Sequence, residues 1–98
     1  MDKITLNTTS TGTEISGELT RHSIMQITKK SIEMLFLSPS TTLDLAQITR
    51  IDTAGLAWLF YLLEQASNDS CDLFFANIPT KLDKLIRLSG VAGFLPVK

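Results

Sequence analysis

The chain has 98 residues, 44% apolar and 19% charged, with a net charge of −1 and a pI near 5.7. That length provides for one core, hence a single domain over residues 1–98. The apolar content excludes a disordered chain, and the faintly acidic balance excludes the basic footprint of a nucleic-acid binder.

Cys71 is the only cysteine, so no disulfide can close within the chain, which fits a reducing compartment. The opening MDKITLNTTS lacks the apolar core of a signal peptide. The longest apolar run, residues 56–63, falls well short of the roughly 20 residues that span a bilayer. A soluble, cytoplasmic domain that does not insert into a membrane is expected.

Residues 3–8 alternate Ile4 and Leu6 with polar neighbours, which predicts a half-buried strand. Residues 7–13 are rich in Thr, Ser and Gly and predict a turn, and residues 14–19 alternate again, so the two segments form a hairpin. Thr20 or Ser23 can cap a following helix that runs to about Phe36, with Ile24, Ile27, Met34 and Leu35 along one stripe. Met25 and Met34 read as core filler. Lys29 and Lys30 read as a solvated face. Ser38-Pro39-Ser40 stops the helix, and residues 41–46 predict a short strand.

After a central helix, residues 67–70 form a loop, and CDLFFA over residues 71–76 reads as a strand buried on both faces. Cys71 is read there as packing. Pro79 suits a first helical turn, residues 80–88 continue as a helix with Leu82, Leu85 and Ile86 inward, and Ser89-Gly90 ends it. Residues 91–98 form a short apolar tail. The order is β-β-α-β-α-β-α, an α/β fold with a mixed sheet of roughly four strands, whose later strands run parallel through right-handed crossovers.

The functional signal lies at the start of the central helix. Asp52 is placed to cap it and to meet the positive end of its dipole. Ala54 and Gly55 leave room for close backbone approach. At 100° per residue, Leu56, Leu59, Phe60, Leu63 and Ala66 make a core side. The opposite side holds Ala54, Ala57, Trp58, Tyr61 and Gln65, with Thr53 and Leu62 at its margins. Aromatic residues on an outward helix face point to a protein contact. The candidate partner-binding residues are therefore Asp52, Thr53, Ala54, Gly55, Trp58 and Tyr61.

The element order, together with LDLAQITRIDTAGLAWLFYLL, resembles a STAS domain, the fold of bacterial anti-sigma-factor antagonists. Asp52, Thr53, Gly55 and Leu56 stand in register with that family's Asp-Ser/Thr-x-Gly-Leu pattern, and Leu88-Ser89-Gly90-Val91 fits its last helix. In phosphorylation-switched members the modified serine precedes the glycine, and that position here is Ala54. The Asp-Thr-small-Gly form followed by Leu-Ala is similar to the MlaB branch. That resemblance implies a cytoplasmic subunit of the Mla phospholipid ABC transporter, which maintains outer-membrane lipid asymmetry. It implies an ATPase subunit as partner in a hetero-oligomeric complex, peripheral to the inner membrane, with Thr53 at the contact. A hydroxyl there can bind a partner or accept a phosphate that breaks the contact.

Chemistry is hard to assemble from the rest. His22 is the only histidine, no triad spacing, metal-ligand cluster or phosphate loop is present, and no enzyme activity or cofactor is expected. The alternatives are an anti-sigma-factor antagonist that binds a regulatory kinase, and a lipid-binding module using the sheet or an apolar groove.

Overall fold

The computed structural model describes residues 4–9 and 12–97. The hairpin is β1 (Ile4–Thr9) and β2 (Gly12–Leu19), followed by α1 (Arg21–Ile24) and α2 (Lys29–Leu35). Then come β3 (Ser40–Ile51), α3 (Thr53–Asn68), β4 (Asp72–Ala76), α4 (Thr80–Leu88) and a 3-10 turn at Ala92–Phe94. The sheet order is β1-β2-β3-β4, with β1 antiparallel to β2 and the two later pairings parallel. This is the predicted mixed α/β sheet: each parallel pairing needs a crossover, and helices supply it. No helix among the described residues is long and apolar enough to cross a membrane.

Alternation along the strands sorts the sheet into two faces. Thr13, Leu43 and Phe75 stand side by side in register, Ile15, Leu45 and Leu73 follow two residues on or back, and all six are buried. Each fully buried Leu or Ile here adds about 1.5–3 kcal/mol of transfer free energy. The other face carries Glu14, Asp44 and Ala76 in one row and Thr42 beside Phe74 in the next, and none of these is buried. The helices therefore cover one side of the sheet.

Several expectations change. The predicted turn at 7–13 is mostly ladder, since pairing continues to Thr9 opposite Gly12; Lys3 and the turn centre at 10 and 11 lie outside the described residues. The single helix to Phe36 is two short ones. Thr20 caps the first through Ser23, and Thr28 caps the second by accepting the Ser31 N–H at 3.1 Å. The Thr-x-x-Ser pattern recurs, and the second copy starts a new helix within a stripe that periodicity reads as continuous. Met25 and Met34 are not core filler: they are 78% and 58% exposed, Met25 in the break itself and Met34 near the end of the short α2, because the single stripe that would have buried both does not form.

β3 does not stop at Ala46 but continues to Ile51, because β2 pairs with it as far as Leu19 opposite Ile51. β4 is an edge strand and is buried on one face only: Leu73 and Phe75 are buried, Phe74 and Ala76 half-buried, and Asp72 exposed. Cys71 precedes the strand and is buried, and its thiol pKa is raised by burial and by the nearby Asp72 and Asp69 charges. α4 ends as Ser89-Gly90 predicts: Gly90 has φ 71°, its N–H reaches the Arg87 carbonyl, and Val91 N–H reaches Ile86. The tail then turns back so that Phe75 N–H donates to the Pro96 carbonyl at 2.9 Å.

The loops after β2, β3 and β4, at Thr20, Asp52 and residues 77–79, all leave the carboxyl ends of parallel strands. In open α/β sheets that end is where binding sites collect.

A candidate docking site at the start of α3

β3 delivers the chain to Asp52 in extended conformation (φ −132°), and α3 begins at the next residue. The Asp52 carboxylate then holds two helices at once. Its Oδ1 accepts the Gly55 N–H at 2.9 Å, inside α3, and its Oδ2 accepts the Arg21 N–H at 3.0 Å, at the start of α1. Its own N–H donates to the Leu19 carbonyl at 3.3 Å, so the ends of β2 and β3 are tied to the same residue. Burial alone would raise the carboxyl pKa. The N–H groups of Arg21, Gly55 and Ala54 and the nearby Arg50 charge outweigh it, leaving the carboxyl below its ordinary value.

Gly55 is buried, and a Cβ added to it would run into the Leu19 carbonyl. The small residue thus brings the first turn of α3 down onto the end of β2. Its close approach is internal, toward the sheet.

With the helix seated in this way, its outer surface is fixed. Thr53, Ala57 and Tyr61, spaced four apart, are exposed along one stripe, with Glu64 continuing it and Ala54 half-buried beside it. Tyr61 is 44% exposed. Threonine and alanine give a partner's backbone room, and the tyrosine offers a broad apolar ring with a polar tip.

The structure gathers Asp52, Thr53, Ala54 and Gly55 into one turn and puts Tyr61 on the stripe that Thr53 begins. It does not put Trp58 there. Trp58 is 8% exposed and belongs to the core with Leu56, Leu59, Leu62 and Ala66, which corrects its expected position on the outward face. Leu62, expected at the outer margin, is fully buried, whereas Phe60 and Leu63 are only half-buried. The helix is turned so that Gly55, not Phe60, faces the sheet. One further residue shapes the loop, Arg21, through a backbone N–H. A backbone contact 31 residues away leaves no mark in a sequence.

The family model described as "Mlab, STAS domain" matches residues 5–96. The chain belongs to the STAS-domain family. Among solved structures it is similar to the anti-sigma factor antagonist SpoIIAA in its unphosphorylated form, with TM-score 0.69 and 16% identity over 97% of this chain and 87% of that one. It is also similar to the Bacillus cell fate determinant SpoIIAA in the phosphorylated form, with TM-score 0.64 and 16% identity over 97% and 90% of the two chains. No curated protein matches. At this identity the two structures establish a shared fold.

Proposed function

We propose that this chain is a non-catalytic accessory subunit that binds the ATPase of an ABC-type phospholipid transport system of the Mla kind, at the cytoplasmic side of the inner membrane. The observation that carries this reading is the exposed Thr53–Ala57–Tyr61 stripe on a helix whose start is locked by Asp52 and Gly55. The MlaB description of the matching family model supports the choice of partner. A rigid face of this kind stabilises or activates the ATPase by linkage: it adds binding free energy to the one arrangement it fits.

The likeness to SpoIIAA supports a second reading, an anti-sigma-factor antagonist acting on a regulatory kinase. Ala54 speaks against it, since the residue before Gly55 has no hydroxyl to carry a phosphate. The lipid-binding reading finds little support on the open sheet face, where a concavity of about 480 Å³ is lined by Thr9, Glu14, Thr42 and Asp44 among others. Carboxylates and hydroxyls are poor company for acyl chains.

The test is affinity for the purified ATPase. Thr53→Glu puts a charge and extra bulk on the stripe and lowers affinity tenfold or more, whereas equal binding by the variant removes Thr53 from the contact. Stoichiometric phosphate on Thr53 after incubation with a cognate kinase would favour the antagonist reading.

A further inference from the structure

β3 is longer than its neighbour on one side. β4 pairs with it only from Ser40–Asp72 to Asp44–Ala76, whereas β2 accompanies it to Ile51. Among the described residues, β3 over 46–51 therefore has a strand on its β2 side, paired through two register shifts (between Asp44 and Gln47 and between Ile48 and Arg50), and none on the other. Among the described residues, no backbone–backbone hydrogen bond from another element reaches that edge, and of its N–H groups that of Ala46 is taken by the Asp44 carboxylate at 2.9 Å. The first turn of α4 stands alongside it, and between them lies a cavity of about 190 Å³. Its apolar walls are Ile48, Ile51, Pro79 and Leu82, and its lining includes the cations Arg50 and Lys81. Ile48 and Leu82 are buried at its floor, while both cations are exposed.

An open strand edge facing a helix across an apolar groove is built to accept one more strand. The free backbone groups call for another backbone, the cavity for an apolar side chain, and the cations for a carboxylate. Arg50 is only loosely engaged: its contact with Glu18 is 3.5 Å, with the Arg50 side chain 71% exposed. Pairs of this kind hold little free energy against a better-placed acid. At about 3.3 Å per residue, the edge matches a segment of roughly four to six residues.

We infer that this groove takes an extended segment of the protein partner as an added strand along residues 46–51, with an apolar residue in the cavity and an adjacent carboxylate against Arg50 and Lys81. The inference rests on the ATPase reading above, and it names a second contact for that partner. Arg50 lies three residues before Thr53, so one partner can reach both the groove and the α3 stripe.

The experiment uses the full chain and the purified ATPase subunit of the phospholipid transporter from the same organism. Affinity is measured for wild type and for R50Q/K81Q, together with amide hydrogen exchange in the free and bound chain. The expected result is binding by wild type, a tenfold or greater loss in R50Q/K81Q at unchanged melting temperature, and slowed exchange within residues 46–51 on binding. Wild-type binding combined with either equal binding by R50Q/K81Q or slowing confined to α3 overturns the added strand and leaves the ATPase reading standing. Failure of wild type to bind removes both.

Discussion

Gly55 touches the end of β2 so closely that a side chain would collide with the Leu19 carbonyl. This one contact seats α3 on the sheet and sets which of its residues face outward. In a helix interior alanine is favoured over glycine by about 1 kcal/mol. Here the collision is with backbone, which cannot swing aside. Gly55→Ala is expected to destabilise the fold by about 1–3 kcal/mol, the usual cost of overpacking, as read by urea unfolding. A variant as stable as wild type would show that the approach is not tight.

Asp52 makes stability depend on acid. Its folded pKa lies below the ordinary carboxyl value of 3.8, so its contribution is fully present above that value and is lost as pH falls through the folded pKa. In Asp52→Asn one amide oxygen can still accept an N–H, but the NH₂ meets a second donor, so one of the two helix starts loses its acceptor. The variant is expected to be about 0.5–2 kcal/mol less stable near neutrality, as for a lost cap. It should also show a shallower decline in unfolding free energy below about pH 4. Parallel wild-type and variant slopes there would assign the acid sensitivity to other groups.

Trp58 and Tyr61 should respond in opposite ways. Trp58→Ala empties a buried site and is expected to cost about 3–5 kcal/mol in stability. Tyr61→Ala should stay within about 1 kcal/mol of wild type in thermal unfolding, yet bind the ATPase more weakly. A stable Trp58→Ala chain would put the indole back on the surface.

Ser70 offers a stabilising change. It follows α3 with φ 55°, its N–H bonds to the Ser67 carbonyl, and Cys71 N–H reaches Ala66 at 2.8 Å, the same helix stop that Gly90 makes after α4. Only glycine takes that conformation freely. Ser70→Gly should raise stability by about 0.5–1 kcal/mol, seen as a higher melting temperature. Asn77, also at φ 55°, is better left alone, since asparagine tolerates the conformation and its side chain donates to Asp44 at 3.2 Å.

Strand and helix order, the parallel crossovers, the Asp52 cap and the Gly90 stop were all readable from the residues, because each rests on local chemistry or on period-2 and period-3.6 patterning. The break between α1 and α2 was harder to see. Ile24 and Ile27 continue a helical stripe across it, and the Thr28–Ser31 cap looks like ordinary polar sequence. The length of β3 was hidden too, since residues 47–51 become strand only by pairing with β2.

The chain by itself determined that α3 starts just after its cap, Asp52, and is apolar nearly all round. With Leu56, Trp58, Leu59, Phe60, Leu62 and Leu63 in succession, several orientations of such a helix bury almost equal area, so periodicity ranks them poorly. Tertiary structure decided among them: the carboxylate of Asp52 had to reach both Gly55 and Arg21, and Gly55 had to lie against Leu19. Those short-range constraints turn Trp58 inward and leave Thr53, Ala57 and Tyr61 in solvent, because hydrogen bonds and steric contacts are directional where hydrophobic burial is not.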